Sequence, residues 1–374
     1  MKQKIKFLAY YLPQYHPIPE NDKWWGKGFT EWTNVAKSKP LFKGHHQPIL
    51  PSDLGFYDLR VPEVQEKQSE LALQYGIDGF IYYQYWFGDN SKMLLEKPAE
   101  AMLKNTKIKI PFCFCWANEA WKGIWHGLDN PSVLMDQSYP TDEEGYIAYF
   151  NYLLPFFKDE RYIKIDNKPM FHIYKFSDIP DNKLFHKTFH KLAKENGFDG
   201  VYFVATSTAE DYNLEDYKEL SAIVSLNIFN QLRYYFNPIF KNRHLRKFEL
   251  RFKDKLGYTS SVIKRKKPLI LDYKELIKHF AFKLENEKSI PCAVPNWDNS
   301  ARSGKKSMIL NNSNPTNWEE HLNQMVNLLI KSPKNPPFLI IKSWNEWAEG
   351  NYLEPDTQYK HDWLKAVLKV KNGI

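Results

Sequence analysis

The stretch Phe338-Leu339-Ile340-Ile341-Lys342-Ser343-Trp344-Asn345-Glu346-Trp347-Ala348-Glu349-Gly350, near the C-terminus, decides the fold prediction. Its first four residues are apolar and partly β-branched, which predicts a short buried strand. That strand ends at once in two carboxylates set among tryptophans. Carboxylic acids cleave glycosidic bonds, and indole faces are surfaces on which sugar rings stack. We therefore expect a strand end with sugar chemistry here rather than an ordinary solvated acidic turn.

Seven further apolar runs are of strand type: Ile5–Tyr10, Gly79–Tyr83, Pro111–Cys115, Pro169–Tyr174, Val201–Ala205, Ala222–Leu226 and Pro291–Val294. Helix-like stretches alternate with them: Pro62–Tyr75, Leu94–Lys104, Tyr146–Phe157, Leu184–Asn196, Leu214–Glu219, Tyr273–Leu284 and Trp318–Ile330. Strands that are apolar on both faces and alternate with helices predict an α/β fold, a single closed (β/α)8 TIM barrel. An open doubly wound sheet is the alternative, but no Gly-x-Gly-x-x-Gly loop follows the first strand.

Polar and aromatic residues follow five of these strands. Because active sites of such barrels lie at the C-terminal ends of the strands, we expect the five strand ends to converge on one cleft. The predicted substrate-binding residues in and beside this cleft are Tyr11, Gln14, His16, Tyr83, Tyr85, Trp86, Trp116, Asn118, Glu119, His172, Asn296, Trp297, Asp298, Arg302, Trp344, Asn345, Trp347 and Glu354.

Two regions exceed a minimal barrel. Residues 13–61 form a long loop after the first strand, and loops of this length are usually functional. We expect it to fold over the mouth and to bring Trp25, Glu31 and Trp32 to the substrate. The second region is an insertion between the sixth and seventh strands, at about residues 227–288. Without repeats or a linker, the sequence predicts one domain over residues 1–374.

The net charge of +8 comes from the insertion, whose residues 241–268 alone carry a net charge of +9. Residues 241–268 contain eleven Lys and Arg against two acidic residues, so the rest of the chain is close to neutral. This basic stretch is either a solvated helical insertion or a contact patch for an anionic membrane, a glycolipid or a charged polysaccharide. No nucleic-acid-binding motif accompanies it, so nucleic acid is not a predicted partner.

Three cysteines in 374 residues, an odd and sparse count, are typical of packed thiols in a reducing compartment. The apolar run at the N-terminus stops at Pro13, too early for a signal peptide, and no segment has the length of a membrane span. These features predict a cytoplasmic protein, with membrane association only through the basic stretch.

The sequence predicts neither a metal nor a cofactor. His45 and His46 are adjacent, so their side chains diverge, while His16 and His172 stand alone in the sequence. The lone histidines are better explained as hydroxyl-binding or core residues. No phosphate-binding loop with Gly-Lys-Ser/Thr is present.

Glycosidic bond cleavage needs one carboxyl to protonate the departing oxygen and a second group to assist at the anomeric carbon. Two such carboxyls work together when their surroundings push their pKa values apart. The residues alone leave two pairs open. Glu346 and Glu349 lie on one side of a helical turn, whereas Glu119 could face Glu346 across the barrel mouth.

Six longer motifs then carry a resemblance: Tyr11–Pro17, Trp24–Val35, Asp53–Asp58, Tyr82–Phe87, Phe114–Glu119 and Trp344–Gly350. With these motifs the chain resembles the WbsX-type proteins of bacterial surface-polysaccharide gene clusters, which have a glycoside hydrolase family 99-like domain. The resemblance covers nearly the whole chain. It is weak between Asn227 and Lys288, so it implies nothing about the insertion.

The resemblance implies a TIM barrel and a retaining mechanism. Family 99 enzymes act on α-mannosides, and their Asn-Glu-Trp-x-Glu-Gly motif supplies both carboxylates. Carried over, Glu346 takes the proton of the sugar 2-hydroxyl, whose oxygen attacks C1 to give a 1,2-anhydro sugar. Glu349 protonates the leaving oxygen, and Glu119 then binds a sugar hydroxyl.

Two alternatives to hydrolysis stay open. Members of this group are often described as glycosyltransferases of O-antigen (lipopolysaccharide) or capsule biosynthesis, although the chain has no Asp-x-Asp motif. A barrel with paired glutamates could also transfer a sugar from an oligosaccharide or lipid-linked donor. The second alternative is a barrel that binds carbohydrate without catalysis.

Overall fold

The computed structural model describes residues 4–88, 91–123, 133–207, 218–225, 267–279, 284 and 286–374. Eight parallel strands form its main sheet: β1 Lys6–Tyr11, β2 Gly79–Trp86, β3 Phe112–Trp116, β4 Lys168–Ile173, β5 Tyr202–Ser207, β6 Ala222–Ser225, β7 Ser289–Ala293 and β8 Phe338–Ile341. Each strand pairs with the next in chain order, and β8 pairs with β1. The sheet is therefore closed, and the predicted (β/α)8 barrel is confirmed.

The described helices are α1 Pro19–Trp25, α2 Glu31–Lys37, α3 Pro62–Gln74, α4 Lys97–Lys104, α5 Glu143–Lys158, α6 Asn182–Glu195, α7 Tyr273–His279, α8 Ser300–Ser303, α9 Pro315–Ile330 and α10 Asp362–Asn372. Side-chain caps fix three of the longer ones. Asp142, Asp181 and Asn314 each accept a hydrogen bond from a backbone N–H in the first turn of α5, α6 and α9. Such caps satisfy donors that the helix itself leaves unpaired.

Short strand pairs lie outside the barrel: Met93–Leu94 with the end of β2, Trp121–Lys122 with Val133–Met135, Lys164–Ile165 with β4, Leu269–Asp272 with Met308–Asn311, and Asn345–Glu346 with Asn351–Tyr352. Single turns of 3₁₀ helix span Phe176–Asp178, Gly304–Lys306 and Trp347–Glu349.

All eight predicted strands are present, with ends that move by up to three residues. The helix predicted from Leu94 begins instead at Lys97, because Met93–Leu94 pairs with the end of β2. Most of the predicted helix 214–219 lies outside the described residues. The same holds for the basic stretch, of which only Lys267 and Pro268 are described.

Residues 12–61 between β1 and α3 lie over the C-terminal mouth of the barrel. The loop is fastened there by polar contacts with the segments that follow β7 and β8. Glu31 contacts Arg302, and Gln47 contacts Asp298. Ser52 N–H donates to the carbonyl of Pro355 at 2.9 Å. The expectation of a long loop that covers the mouth agrees with these contacts.

Candidate active site

The acidic loop after β8 folds back on itself. Asn345–Glu346 pairs antiparallel with Asn351–Tyr352, and the turn Trp347–Glu349 joins them. Gly350 closes this turn with φ 56°, a region that suits glycine. A Cβ on Gly350 would also lie 2.8 Å from the backbone nitrogen of Asp298. Glycine is therefore required here for both reasons, and the loop is held against the segment after β7.

Glu346 is nearly buried and is paired with a lysine from the end of β8. Its Oε2 lies 2.7 Å from Lys342 Nζ, and its backbone N–H donates to Ser343 Oγ at 3.0 Å. The same ammonium lies 3.9 Å from Glu349 Oε2. Glu346 and Glu349 are therefore neighbours that share one buried cation, the ammonium group of Lys342.

Glu349 is held by a second cation, Arg302 of α8. Arg302 NH1 donates to Glu349 Oε1 at 2.6 Å, and NH2 lies 3.0 Å from Glu31 Oε1. Arg302 Nε donates to the other Glu31 oxygen at 3.3 Å. Glu31 is fully buried, at 0% exposure. The guanidinium therefore bridges the loop after β1 and the loop after β8.

Burial dominates the electrostatics of these groups. It raises the pKa of Glu346, an effect opposed by Lys342 and reinforced by Glu349. Burial also raises the pKa of Glu31, which Arg302 counteracts. Burial works against the charge of Lys342 and Arg302 as well, but their acidic partners outweigh it and hold both pKa values above the usual range. Both cations stay charged.

Asn345 fastens the acidic loop to the loop after β1. Its Oδ1 accepts from Leu12 N–H at 2.7 Å, and its Nδ2 donates to the Leu12 carbonyl at 3.1 Å and to Tyr57 Oη at 3.2 Å. Tyr15 adds a second link, because its hydroxyl donates to the Asn345 carbonyl and accepts from Trp347 N–H. These bonds fix the course of the backbone on both sides of Glu346, where the chain continues beyond β8.

Glu354 supports the same loop from behind. Its carboxyl accepts from Tyr57 Oη at 2.9 Å, Gln68 Nε2 at 2.6 Å and Trp347 Nε1 at 2.6 Å. Gln68 in turn accepts from Tyr11 Oη at 2.7 Å. Burial raises the pKa of Glu354 to about 7. Tyr11 and Glu354 thus face helix α3 and the indole of Trp347, not the carboxylates.

The tryptophans of the acidic loop are packed on both sides. Trp347 stacks on Tyr352 with ring centroids 4.1 Å apart and packs against Trp32 at 5.6 Å. Trp344 is fully buried against Phe80 at 5.1 Å. Trp347, the first residue of the acidic turn, is therefore packed between Trp32 and Tyr352.

The segment after β7 contacts the acidic loop through Asn296 and Asp298. Asp298 accepts from His45 Nε2 at 2.7 Å and Gln47 Nε2 at 2.6 Å, and its backbone N–H donates to the Glu349 carbonyl at 2.7 Å. Burial would raise the pKa of Asp298, but the hydrogen bonds to its side chain outweigh it and lower that pKa. Asn296 Oδ1 accepts from Tyr352 N–H at 3.1 Å. Both residues hold the loop in place.

Aromatic residues line the mouth below the carboxylates. Lys342 Nζ lies 5.6 Å from the ring centroid of Tyr83 and 5.7 Å from that of Trp297. Tyr83 Oη is 3.3 Å from the same nitrogen. Burial, reinforced by the charge of Glu346, raises the pKa of Tyr83 and of Tyr85 well above the usual range. These phenols stay neutral.

Three predicted binding residues lie deeper in the barrel or loop. His172 is fully buried, and its ring is 6.2 Å from the ring of Tyr10. Burial lowers the pKa of His172 to about 3 and that of His16 to about 4, so both are neutral near pH 7. Gln14 is 3% exposed, and its backbone carbonyl accepts from Glu31 N–H at 3.1 Å.

Asn118 and Glu119 follow β3 and form a separate polar cleft. Asn118 Oδ1 accepts from Lys175 N–H at 2.8 Å, and its Nδ2 donates to the Lys175 carbonyl at 2.7 Å and to Tyr139 Oη at 3.0 Å. Glu119 pairs with Lys175 Nζ at 2.5 Å. Together with Gln137 they line a cavity of about 370 Å³.

Three other predicted tryptophans contact neighbours away from the carboxylates. Trp86 stacks on Tyr149 of α5 at 4.1 Å, and Trp116 packs against both at 5.5 and 5.3 Å. Trp25 belongs to a satellite cluster, 6.2 Å from Trp121. The structure does not bring Trp86 and Trp116 to the carboxylates, because their rings fill the space between barrel and helices.

Sequence reasoning missed Lys342 and Tyr174. Lys342 directly follows the last residue of β8, so its position at a strand end was the available signal. Tyr174 follows β4 in the same way, and its pKa, raised by burial, is also affected by Lys342, Glu119 and Glu349. The ring of Tyr174 lies 6.4 Å from that of Tyr83, on the Lys342 side of the mouth.

A histidine pair on α6 was not predicted from the sequence. His186 and His190 approach to 3.1 Å between their Nε2 atoms, and His186 Nδ1 lies 3.6 Å from Glu219. His190 Nδ1 accepts from Val201 N–H at 3.2 Å, so its proton sits on Nε2 and points at His186. That nitrogen is not available to a metal, and the described residues contain no cluster of three or more candidate metal ligands. No helix among the described residues has the length and apolarity needed to cross a bilayer.

Comparison with known proteins matches the sequence resemblance. The profile of the family described as “Glycosyltransferase WbsX” matches residues 7–367. Two curated relatives, each named “Uncharacterized protein WxcX”, come from two strains of Xanthomonas campestris pv. campestris and are 33% identical over 369 residues. The alignments cover 96% of this chain and 48% of each relative, so the chain spans about half the length of these relatives.

Solved structures with the same fold include the glycoside hydrolase family 99 endo-alpha-mannosidase from Bacteroides thetaiotaomicron. It aligns with a TM-score of 0.56 and 14% identity, over 98% of this chain and 96% of that chain. A second structure, a “Glycoside hydrolase-like protein”, aligns with a TM-score of 0.57 and 11% identity, over 98% and 94% of the two chains. At these identities the likeness concerns the fold alone.

Proposed function

The chain belongs to the family described as Glycosyltransferase WbsX, and we propose that it is a carbohydrate-active enzyme whose reacting groups are Glu346 and Glu349. It cleaves or transfers at a glycosidic bond of a surface polysaccharide or oligosaccharide, with retention at the anomeric carbon. One observation carries the proposal. The Lys342 ammonium lies 2.7 Å from Glu346 and 3.9 Å from Glu349 at the C-terminal mouth of the barrel.

In the first step Glu346 acts as the base. It removes the proton of the sugar 2-hydroxyl, the 2-oxygen attacks C1, and the bond from C1 to the leaving oxygen breaks. Burial raises the pKa of Glu346, which strengthens it as a base, while Lys342 keeps it ionised. Glu349 gives its proton to the leaving oxygen, and Arg302 stabilises the carboxylate that results.

In the second step the roles reverse. Glu349, now a carboxylate, removes a proton from the incoming water or sugar hydroxyl, whose oxygen attacks C1 and opens the three-membered ring. The 2-oxygen takes back the proton held by Glu346. Both carboxyls then return to their starting states, and the sugar keeps its anomeric configuration. This route requires a 2-oxygen trans to the leaving group, as in α-mannosides.

Hydrolysis and transfer differ only in the acceptor that reaches C1. The family description favours transfer to a sugar hydroxyl, and the same pair of carboxylates serves either outcome. We assign sugar-hydroxyl binding to Glu119 after β3, which Asn118 helps to position through its bonds to Lys175, and to Tyr83 and Tyr85 of β2. Tyr174, whose ring lies 6.4 Å from that of Tyr83, is a further candidate for this surface.

The experiment uses surface-glycan oligosaccharides of the source organism together with α-mannosyl substrates that carry poor and good leaving groups. Glu349→Gln should lower turnover of natural glycosides by about 10²–10⁴-fold and that of a glycosyl fluoride much less, because fluoride needs little protonation. Glu346→Gln should be severe with every leaving group.

A substrate methylated at the 2-oxygen is the matched control for the route. It should bind but not react, because no proton is available at that oxygen. Cleavage at an unchanged rate would exclude the anhydro-sugar route and make Glu119 with Glu346 the pair to test. If the wild type binds the oligosaccharides but neither cleaves nor transfers any of them, the chain is a binding protein.

A further inference from the structure

Glu354 is a fully buried carboxyl whose hydrogen-bond donors are all neutral groups. Its Oε2 accepts from Tyr57 Oη at 2.9 Å and from Trp347 Nε1 at 2.6 Å, and its Oε1 accepts from Gln68 Nε2 at 2.6 Å. In the part of the chain that the structure describes, no cation forms an ion pair with this carboxyl. Three donors directed at two oxygens suit an ionised carboxylate, which only accepts hydrogen bonds.

The contacts of Glu354 reach both chain neighbours of Glu346. Trp347, which follows Glu346 and begins the turn that ends at Glu349, donates its indole N–H directly to Glu354. Asn345, which precedes Glu346, donates to the Tyr57 hydroxyl, and that same hydroxyl donates to Glu354. One buried carboxyl therefore holds the acidic turn on both sides of Glu346, from behind.

We propose that Glu354 is a positioning residue that acts through Trp347 and Tyr57, and that the acidic turn keeps its working geometry only while Glu354 is ionised. The coupling between Glu354 and the turn does not depend on a substrate. Its meaning for catalysis rests on the proposed function, in which Glu346 and Glu349 are the reacting groups.

A proton on Glu354 would disturb this network, because two of its three donors have no other role to adopt. The indole of Trp347 can only donate, and the amide oxygen of Gln68 already accepts from a phenol. Only the Tyr57 hydroxyl can turn round and accept, and its own hydrogen would then lose its acceptor, which is costly for a buried group. Proton uptake therefore loosens the link from Tyr57 to Asn345 and the link to the indole.

Burial and hydrogen bonding oppose each other at Glu354. Burial raises the pKa of this carboxyl, the bonds from its donors lower it, and the result is about 7. The folded protein thus keeps a proton there at pH values at which an ordinary glutamate has lost it. The stability that this proton contributes is lost as the pH rises through about 7. Ionisation orders the acidic turn at the expense of stability.

The other titratable groups around Glu354 do not take up this proton. The phenols that face it from β1 and from the loop after β1 are those of Tyr11, Tyr15 and Tyr57. Burial raises the pKa of each phenol well above the usual range, so all three stay neutral. Helix α3 contributes an amide, which does not titrate. The acidic turn contributes Glu346 and Glu349, and each of these is paired with a cation.

NMR of the indole N–H groups tests the coupling in the protein without substrate. The resonance that is missing in Trp347→Phe identifies the indole of Trp347. As the pH falls, this resonance should shift with a midpoint at about 7, because the indole loses a charged acceptor. The transition should disappear in Glu354→Gln. It should persist in Glu346→Gln, the matched control from the same loop.

A second variant keeps the test decisive if Glu354→Gln does not fold. Tyr57→Phe keeps the ring but removes one donor from the carboxylate, so the indole midpoint should rise by about one pH unit or more. An indole that does not titrate between about pH 5 and 9 overturns the proposal. A transition that persists in Glu354→Gln, or a midpoint that is unchanged or lower in Tyr57→Phe, overturns it as well.

Kinetics separate this proposal from the function itself. With an active substrate, Glu354→Gln should lower kcat by about tenfold with little change in KM, because it displaces the reacting groups but touches no sugar. The acidic limb of the kcat/KM profile should move to higher pH in Tyr57→Phe, by the shift of the indole midpoint. If Glu346→Gln abolishes turnover but this limb does not move, the positioning role is wrong and the function stands. If no glycan reacts, the function fails and the indole titration still decides the coupling.

Discussion

The dipeptide Asn-Glu occurs at two strand ends of this barrel, after β3 as Asn118-Glu119 and after β8 as Asn345-Glu346. The two asparagines make the same set of bonds. Each accepts from the backbone N–H of one residue, donates to the carbonyl of that same residue and donates to a tyrosine hydroxyl. In each case the asparagine joins its strand end to a loop that follows a different strand.

The glutamates of these two dipeptides differ. Glu346 pairs with Lys342, which is itself 6% exposed and also lies 3.9 Å from Glu349. Glu119 pairs with Lys175, whose side chain is 35% exposed, beside an open polar cavity. The suitability of a glutamate as a reacting group therefore depends on the burial and the charges around its carboxylate. The asparagine supplies only the architecture.

Activity should separate the two glutamates most strongly. Glu346→Gln should lower kcat/KM by about 10²–10⁴-fold, because it removes the base from every turnover. Glu119→Gln should cost about tenfold, the contribution of one hydrogen bond to a sugar hydroxyl. Steady-state kinetics on one active oligosaccharide measure both. If Glu119→Gln lowered kcat/KM as strongly as Glu346→Gln, the proposed difference in role would be wrong, and Glu119 and Glu346 would be the reacting pair.

Stability should separate the two lysines next. Lys342→Met leaves Glu346 buried without its nearest cation and should lower the free energy of unfolding by about 3–5 kcal/mol. Lys175→Met breaks a partly exposed ion pair and should cost about 1 kcal/mol or less. Urea unfolding near pH 7 measures both. A Lys342→Met variant as stable as Lys175→Met would show that water already compensates Glu346.

The two asparagines should give the smallest and most similar effects. Asn345→Ala and Asn118→Ala each remove the side-chain acceptor of one backbone N–H and two donated bonds, while Tyr57 and Tyr139 keep their bonds to the Glu354 carboxyl and the residue 118 carbonyl, so each variant should cost about 1–3 kcal/mol. The double variant should add the two losses within about 0.5 kcal/mol, because the sites share no partner. Thermal and urea unfolding test this. A loss confined to one variant would contradict the structural equivalence.

The sequence predicted the barrel and its closing strand because eight apolar runs of strand length alternate with amphipathic stretches. It also predicted that Glu31, Arg302 and the acidic loop lie at the mouth, since each follows a strand or belongs to the long loop. The pairing of Glu31 with Arg302 was not predictable. It depends on which of two carboxyls each guanidinium edge reaches, and residue spacing does not contain that information.

The tryptophans show a second limit. Trp86 and Trp116 are the last residues of β2 and β3, close in sequence to Tyr83 and Asn118, yet their rings turn outward and pack against Tyr149 of α5. Successive residues of a strand point to opposite faces, so a shift of one residue moves a ring from the mouth to the core. Lys342 was missed for a related reason: a lysine after an apolar run normally marks a solvated strand end.

The bonds from Asn345 to Leu12 span 333 positions of the chain, and the contact from Arg302 to Glu31 spans 271. A ribosome makes the chain from its N-terminus, so Leu12 and Glu31 leave the exit tunnel long before their partners exist. Glu31 cannot pair with Arg302 until residue 302 has been synthesised, and the bonds from Leu12 to Asn345 cannot form until residue 345 has been synthesised. Loop closure over such distances is slow. In a newly made chain the contact of Glu31 with Arg302 can therefore form only after seven of the eight barrel strands have been synthesised, and the bonds of Asn345 only after all eight, so the fastening of the loop over the mouth is a late event.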